Sequence, residues 1–314
     1  MGNIPAISVV MVTHNRAALL PRTLAGLYGQ TLQDFELIVL DNGSTDGTWE
    51  LLGTIERARV RLHRNRTPRP AAEALSQALA WATGRYIVCH EVGDVSAAQR
   101  LERQAALLRR REDVVAVWSA VDWVDEAGQL LHHVDYPSRH QTLLRRLEEE
   151  SCPATGAVML RREALEAVGG IRKAFALAAE VDLWLRLADV GKLASTNEVL
   201  YTACFHADLP PVAHQALYRD YAALARLLAE ERRTHGAEQT AIDTAAGAIS
   251  ARHAAMNPLA RRAMRAEGYL IWARQVQMWN EAARRQARRL WLRALAAWPF
   301  RSDVWQYARE QLQR

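Results

Sequence analysis

The chain has 314 residues, 50% of them hydrophobic, and a formal net charge of +5. No apolar run reaches the ~18 to 20 residues of a membrane-spanning helix, and the N-terminus lacks the basic and apolar regions of a signal peptide, so we expect a cytoplasmic protein. The cysteines form no CxxC pair, which argues against a zinc site or a disulfide framework, and the dispersed arginine excess argues against specific nucleic-acid binding.

Strand and helix patterns alternate four times within about ninety residues. The segment from Ile7 to Thr13 is almost continuously apolar and rich in β-branched residues, the pattern of a strand buried on both faces of a parallel sheet. Similar short apolar segments end at Leu40, His63 and His90, with stretches of helical spacing between them. This alternation predicts right-handed βαβ units and a parallel sheet.

Polar residues follow the first two strands. Thr13, Asn15 and Arg16 stand at the end of the first strand, and Asp41 and Asn42 at the end of the second. Ligands of open α/β sheets bind beyond the carboxyl ends of the strands, where a carboxylate and amides can read the imide edge of a pyrimidine. The same residue types are also ordinary turn and helix-cap residues, so a purely structural turn is the alternative.

Two carboxylates follow the fourth strand. The apolar segment from Tyr86 to Cys89 runs past His90 into Glu91 and Asp94, before a polar segment at Ser96 that we expect to begin a helix. Acids at this position meet substrate or metal rather than the core. This strand end is therefore the centre of the predicted site.

The remaining chain divides into a second strand-rich part and a helical part. Val114 to Val124 is predicted to be a long strand and Ala157 to Leu160 a shorter one, and Asp125 to Gly128 reads as a hairpin turn. About the last hundred residues show helical spacing only. We therefore expect one domain over residues 1–208 and a helical domain over residues 209–314.

The ordered series of these segments resembles glycosyltransferase family 2, with its GT-A fold, over about the first 205 residues. The resemblance implies an α/β fold with a Rossmann-like, mostly parallel sheet flanked by helices, followed here by an all-α C-terminal region. It also implies transfer of a sugar from a nucleotide-diphosphate donor, usually with inversion at the anomeric carbon and with a divalent metal. The segments that carry the resemblance are Ile7 to Asn15, Gln30-Thr31, Phe35 to Thr48, Gly84 to Ile87, Arg100 to Gln104, Val158 to Arg162 and Asp182 to Leu187.

By this resemblance, Thr13, Asn15 and Arg16 would line the nucleotide pocket, and Asp41 with Asn42 would contact the base of a UDP- or dTDP-sugar. The family commonly has a second acid where this chain has Asn42. This change keeps the shape of the side chain and removes one charge, so we expect base recognition to survive it.

The family's Asp-x-Asp metal signature falls on Glu91 to Asp94, where Gly93 replaces the central carboxylate. In the family, these acids hold Mg²⁺ or Mn²⁺ against the two phosphates of the donor. The resemblance assigns this role to Glu91 and Asp94, with His206 as a third ligand from a segment like the family's Tyr-Arg-x-x-His. A hard divalent cation accepts water in its shell, so two carboxylates can still hold it. A structural role for His206 is the alternative.

The family's general base lies at the start of the helix that contains Leu183 to Leu187. The matching residue is Glu180, with Asp182 as the alternative. An inverting transfer needs a carboxylate that takes the proton of the acceptor hydroxyl as this hydroxyl attacks. Acids in the first turn of a helix are also favoured by the helix dipole alone, so a structural role is the competing interpretation.

The C-terminal helices carry an apolar and a basic stripe. Trp291, Leu295 and Trp298 repeat at helical spacing, and another edge carries arginines at four-residue intervals, Arg285, Arg289 and Arg293. A basic amphipathic helix can lie on an anionic membrane surface, which would suit a lipid-linked acceptor at the inner face of the membrane. The alternative is a helical bundle that packs its tryptophans internally.

These observations predict an inverting, hexosyltransferase-like glycosyltransferase that acts on a saccharide, lipid-linked or protein acceptor in the assembly of a polysaccharide or another glycoconjugate. The competing hypothesis is a catalytically inactive nucleotide-sugar-binding or scaffold protein. It is favoured by Gly93 and by Ala72 and Thr202, which stand where the family usually has an arginine. A nucleotidyltransferase on a similar sheet would need a Gly-rich, lysine-containing loop after the first strand, and this sequence has none there.

Overall fold

The computed structural model describes residues 5–55, 58–149, 154–205 and 214–312. The chain forms two compact units. The first is composed of Met1–Asp122 and Val134–Ala203, and the second of Trp123–His133 and Cys204–Arg314. The segment Trp123–His133 thus belongs to the second unit, although the chain returns to the first unit after it.

The first unit begins with the predicted alternation of strands and helices. Its elements are β1 (Ile7–Thr13), α1 (Leu20–Tyr28), β2 (Phe35–Asp41), α2 (Thr48–Leu52), β3 (Val60–Arg64), α3 (Ala71–Leu79) and β4 (Tyr86–His90). Strand β1 pairs in parallel with β2 and with β4, and β2 pairs in parallel with β3. Strands β1 and β2 are buried along almost their whole length, and apolar residues on both faces of each strand are buried.

The rest of the first unit makes the sheet mixed rather than all parallel. Its further elements are β5 (Val95–Ser96), α4 (Arg100–Arg110), β6 (Val114–Val124), α5 (His140–Glu149), a 3-10 turn (Thr155–Ala157), β8 (Val158–Arg161), α6 (Arg162–Ala167), α7 (Ala179–Val190) and β9 (Lys192–Cys204). Strand β7 (Leu130–Val134) belongs to the second unit except for its last residue. Strand β8 is antiparallel to both β4 and β6, and β5 is antiparallel to β9, in the order β3-β2-β1-β4-β8-β6-β9-β5, and β7 pairs with β6.

One local prediction was wrong in this part. Ser96 does not begin a helix: it lies in the short β5, where it pairs with Tyr201, and helix α4 begins at Arg100. Pairing between β5 and β9 thus overrides the local preference of a polar segment for a helix start. Tyr201, the first residue of the segment that resembles the family's Tyr-Arg-x-x-His, lies within β9.

The second unit is a helical bundle with an aromatic core. Its helices are α8 (Gln215–His235), α9 (Ile242–Ala254), α10 (Pro258–Gln277), α11 (Ala283–Ala297) and α12 (Ser302–Leu312). The rings of Trp123 and Phe205 lie 6.5 Å apart, and those of Phe205 and Trp279 lie 5.8 Å apart. In the described part of the chain, no helix combines the length and the apolar character needed to cross a membrane.

The tryptophan stripe of α11 packs into this bundle. Trp291, Leu295 and Trp298 lie against the core cluster, and the Trp291 indole donates a hydrogen bond to the Val304 carbonyl at 2.9 Å. On the other edge of the helix, Arg285 and Arg289 are exposed. The apolar stripe therefore contributes to folding, while arginines remain on the surface.

Gly84 permits the close approach of the turn before β4 to strand β1. Its amide donates a hydrogen bond to Ser8 Oγ at 2.8 Å. A Cβ at this position would lie 2.5 Å from the Ser8 nitrogen and 2.6 Å from the Ile7 carbonyl carbon. Both atoms belong to the backbone of a buried strand, so neither can move without disturbing the parallel sheet.

We expect Gly84→Ala to lower the free energy of unfolding by about 1–3 kcal/mol, the usual cost of overpacking. The matched control is Gly247→Ala, because Gly247 lies in α9 with nothing within 4 Å of the added Cβ. That control should be neutral or stabilising by about 0.5–1 kcal/mol. Chemical denaturation of both variants measures the difference, and equal stabilities would contradict the packing account.

Candidate active site

The parallel register brings the polar ends of β1, β2 and β3 side by side. Thr13 pairs with Asp41, and Asp41 pairs with Arg64. The Asp41 side chain is fully buried, with Oδ2 at 3.1 Å from Arg64 Nε and Oδ1 accepting the Ser44 amide at 3.1 Å. Since an isolated buried carboxylate is costly, the Arg64 guanidinium offsets the cost of burying this acid.

The Asn42 side chain organises the loop before α3. Its Nδ2 donates to the Arg69 carbonyl at 2.9 Å, and its Oδ1 accepts from Asn65 Nδ2 at 2.9 Å and from the Arg69 amide at 3.0 Å. An aspartate could accept the last two hydrogen bonds but could not donate the first. This geometry gives a structural reason for an amide where related sequences often have an acid.

The turn after β1 is bonded to the turn after β2. Asn15 adopts a left-handed backbone conformation with φ 52°, and its Oδ1 accepts the Thr45 amide at 2.8 Å. The Arg16 amide donates to Thr48 Oγ1 at 3.0 Å. Thr13 Oγ1 is buried and has no hydrogen-bond partner within the described residues.

Beyond β4, backbone geometry explains the missing central acid of the metal signature. Gly93 has φ +107°, in the region where side chains are strained. Its amide donates to Thr23 Oγ1 at 2.9 Å, and the same hydroxyl donates to the Asp94 carbonyl at 2.9 Å. An aspartate at position 93 could not adopt this turn without strain, so the glycine is required by the conformation that places Glu91 and Asp94.

Three carboxylates influence one another at this turn. The pKa of Glu91 is raised by the surrounding protein atoms, and further by the carboxylates of Asp94 and Glu180, while Arg16 opposes the shift. Protein atoms crowd the Glu91 carboxyl although the residue keeps a solvent-exposed surface, so it is both desolvated and reachable. The structure therefore brings together Glu91, Asp94, Glu180 and Arg16, which the sequence spreads over 165 positions.

His90 is a buried, neutral structural residue. Its Nδ1 lies 2.9 Å from the Glu91 carbonyl, and its Nε2 lies 3.0 Å from Ser96 Oγ. Burial, together with the nearby positive charge of Arg100, lowers the pKa of His90 to about 3. Both ring nitrogens are thus engaged within the protein.

The donor set at the turn fits a hard divalent cation that takes most of its ligands from elsewhere. Within residues 5–55, 58–149, 154–205 and 214–312, no group of three or more His, Cys, Asp or Glu side chains is arranged to hold a metal ion. His206, predicted as a third ligand, lies outside the described residues. Carboxylate oxygens of Glu91 and Asp94 suit Mg²⁺ or Mn²⁺, which commonly bind one or two carboxylates together with substrate phosphates and water.

The two acids at the start of α7 have different surroundings. Asp182 is fully buried, and its oxygens lie 2.6 Å from Arg186 Nη2 and 3.3 Å from Arg172 Nη1. The Arg186 guanidinium also donates to the Val168 carbonyl at 2.5 Å, so the Asp182 ion pair ties α7 to the preceding loop. Glu180 is only partly buried and acts electrostatically on Glu91. This contrast favours Glu180 over Asp182 as the predicted base.

Two buried residues behind the acids were not predicted to belong to the site. The Tyr201 hydroxyl donates to Asp94 Oδ2 at 2.6 Å, and the fully buried Arg100 guanidinium lies 4.6 Å from the Tyr201 ring centroid. Arg100 begins one of the segments that carry the family resemblance, and Tyr201 begins the segment that resembles the family's Tyr-Arg-x-x-His. The family resemblance of these segments was the available signal in the sequence. It could not show that the two side chains contact each other next to the turn that follows β4.

Solved structures identify the fold class. S. aureus TarS 1-349 in complex with UDP-GlcNAc aligns over 97% of this chain and 92% of its own, with a TM-score of 0.58 and 14% identity. The mannosyltransferase PcManGT from Pyrobaculum calidifontis, in complex with GDP-Man and Mn2+, aligns over 96% of this chain and 89% of its own, with a TM-score of 0.54 and 19% identity. The chain thus has the GT-A fold of glycosyltransferases.

The family follows from the sequence profile. Residues 8–169, just over half of the chain, match Glycosyl transferase family 2. The chain therefore belongs to glycosyl transferase family 2 and is a glycosyltransferase.

Two curated relatives place this family membership in context. The chain is 28% identical over 212 residues to "Putative glycosyltransferase EpsE" of Bacillus subtilis, covering 64% of this chain and 73% of that protein. It is 28% identical over 102 residues to the Escherichia coli UDP-Glc:alpha-D-GlcNAc-diphosphoundecaprenol beta-1,3-glucosyltransferase WfgD, covering 32% of this chain and 40% of that protein.

Asn42→Asp should destabilise the protein by about 1–3 kcal/mol, because it removes the hydrogen bond to the Arg69 carbonyl and places an anion against that oxygen. Asn197→Asp, an amide-to-acid change at an exposed position, is the matched control and should change stability little. The free energy of unfolding of both variants is measured in urea. Equal effects would show that the Asn42 amide is not needed to hold the loop.

Stability should also depend on pH through Glu91. Since the pKa of Glu91 is raised in the folded protein, the folded state holds its proton at pH values where the unfolded state has lost it, so stability falls as the pH rises above the ordinary value of 4.5. We expect Glu91→Gln to reduce this loss between about pH 5 and about pH 8, measured by urea denaturation without added metal. The exposed change Glu163→Gln is the control, and a pH dependence of Glu91→Gln identical to that of the wild type would refute the shift.

Proposed function

We propose that this family 2 enzyme is an inverting glycosyltransferase that moves a sugar from a nucleotide-diphosphate donor, with UDP- and dTDP-sugars as the expected donors. The single observation that carries the proposal is the placement of Glu91 and Asp94 in the turn after β4, within electrostatic reach of Glu180 at the start of α7. The bonded turns after β1 and β2 lie beyond the carboxyl ends of neighbouring parallel strands. In this proposal, the nucleotide pocket and the diphosphate site would lie at one edge of the sheet, with the general base close to the diphosphate site.

In this proposal, Glu91 and Asp94 hold Mg²⁺ or Mn²⁺ beside the donor diphosphate. The cation would neutralise the charge that develops on the leaving diphosphate as the glycosidic bond breaks. Arg16 lies near enough to oppose the pKa shift of Glu91, and its positive charge would add to the same neutralisation. His206 is proposed as a further ligand from the segment after β9.

Glu180 is the proposed general base. It would take the proton of the acceptor hydroxyl while this oxygen attacks the anomeric carbon from the face opposite the diphosphate, which inverts the configuration. Its partial burial in the first turn of α7 leaves it open to an acceptor, whereas Asp182 is engaged by two arginines.

The nucleotide itself is proposed to lie over the turns after β1 and β2. Thr13 offers a buried hydroxyl without a protein partner, and Asn15 and Arg16 belong to the turn that is bonded to residues 45 and 48. Asp41 and Asn42 would contact the base at this pocket. Asp41 is held by Arg64, and Asn42 by the loop before α3. These contacts keep both the backbone and the side chain of Asn42 at the end of β2.

The acceptor is proposed to be a saccharide, lipid-linked or protein acceptor in polysaccharide or glycoconjugate assembly. The name of the relative WfgD includes diphosphoundecaprenol, which supports the lipid-linked option. Exposed Arg285 and Arg289 on α11 would then contact anionic lipid at the membrane surface. Since the α11 tryptophans pack into the bundle, this contact would be electrostatic rather than inserted.

A panel of nucleotide sugars tests the proposal through diphosphate release with and without Mn²⁺. We expect turnover of a UDP- or dTDP-sugar that Mn²⁺ stimulates, and a loss of about 10²- to 10⁴-fold in kcat for Glu180→Gln, since the variant cannot accept the proton. The control Glu163→Gln removes an exposed acid on α6 and should keep full activity.

Nucleotide binding without turnover by the wild type on any acceptor would favour the competing hypothesis, a catalytically inactive nucleotide-sugar-binding or scaffold protein. Turnover that Glu180→Gln leaves unchanged would instead remove Glu180 from the mechanism. Thermal shift with UDP is the control for nucleotide binding, because Glu180→Gln should bind UDP as the wild type does.

A further inference from the structure

The Tyr201 hydroxyl lies between the two acids of the turn after β4. It donates a hydrogen bond to Asp94 Oδ2 at 2.6 Å and accepts one from the Glu91 amide at 3.3 Å. Tyr201 is fully buried in β9. One side-chain atom thus contacts both the carboxylate of Asp94 and the backbone from which the Glu91 side chain extends.

The Tyr201 ring is itself held in place from behind. The Arg100 guanidinium lies 4.6 Å from the ring centroid, a cation–π distance. Arg100 is fully buried, and its nitrogens donate to Ser96 Oγ at 3.0 Å, to Gln104 Oε1 at 3.1 Å and to the Gly156 carbonyl. Because this cation is bound on several sides, it cannot move away and leave the tyrosine loose.

Glycine at position 156 makes room for the hydroxyl. A Cβ there would lie 2.0 Å from Tyr201 Oη and 2.4 Å from Cζ. Pairing of Ser96 with Tyr201 between β5 and β9 fixes the backbone on the other side. The position of the hydroxyl is therefore determined by four separate segments of the chain.

We propose that Tyr201 is a positioning residue for the cation-binding carboxylates, an inference that rests on the proposed function. The central acid of the usual signature is absent, because residue 93 is glycine with a positive φ, so the cation depends on two carboxylates whose mutual repulsion would drive them apart. A hydrogen bond from Tyr201 offsets charge on Asp94 and fixes its orientation. Such outer partners of metal ligands typically contribute 10- to 100-fold to metal affinity.

The competing explanation is that Tyr201 only fills space between Arg100 and the turn. Tyr201→Phe distinguishes the two explanations, since it keeps the ring and its cation–π contact and removes only the hydroxyl. The matched control is Tyr221→Phe in α8. Tyr221 is also fully buried, and its hydroxyl lies 2.6 Å from Ser250 Oγ and donates to the Ala246 carbonyl at 3.3 Å, so the control removes a similar group from the other unit.

The readout is Mn²⁺ binding in the presence of UDP, measured from the electron paramagnetic resonance signal of free Mn²⁺. We expect Tyr201→Phe to weaken Mn²⁺ binding by about 10-fold or more, and Tyr221→Phe to bind Mn²⁺ as the wild type does. Binding of UDP without metal should be equal in all three proteins. Thermal melting shows whether each variant is folded, and Gly156→Ala, which displaces the hydroxyl from its place, should weaken Mn²⁺ binding in the same direction.

Equal Mn²⁺ affinity of Tyr201→Phe and wild type would overturn the inference, as would a wild type that binds no Mn²⁺. In the latter case, metal-independent turnover would leave the proposed glycosyl transfer intact. Conversely, Mn²⁺ binding that needs the Tyr201 hydroxyl in a protein that turns over no donor would support the inference and contradict the proposed function.

Discussion

Repulsion among carboxylates at the end of β4 is the constraint on which the rest of the site depends. Burial raises the pKa of Glu91, and the carboxylates of Asp94 and Glu180 raise it further. Folding alone gives no reason to bring three acids together. The positive charge of Arg16 opposes the pKa shift of Glu91, and the Tyr201 hydroxyl donates a hydrogen bond to Asp94. A bound cation and a diphosphate would complete this charge balance, which is why we interpret the crowding as preparation for a ligand.

The two halves of the mixed sheet contribute different parts of this arrangement. The parallel half, β1 to β4, places polar turns at one edge because all four strands run in the same direction. The antiparallel half supplies support from behind, since β9 carries Tyr201 and the segment before β8 provides the carbonyl and the space that Arg100 and Tyr201 need. The acids of the site and the buried residues that hold them in place are thus far apart in sequence.

The sequence predicted the elements and the acids better than their environments. Continuous apolar strands and turn residues are local signals, so β1 to β4, Glu91 and Asp94 could be located directly. Three features depend on tertiary contacts and could not: the donor role of Asn42 toward Arg69, the positive φ at Gly93 and the short strand at Ser96. Each is a departure from the family pattern or from local preference that becomes understandable only when its partner is known.

The most direct test of the account is a crystal structure of the chain with UDP and Mn²⁺, with the metal located by anomalous scattering. The account predicts an anomalous peak in contact with Glu91 and Asp94, bridged to the diphosphate, with the uracil at the turns that follow β1 and β2. Nucleotide bound elsewhere, or bound at this edge with no manganese near either carboxylate, would contradict it.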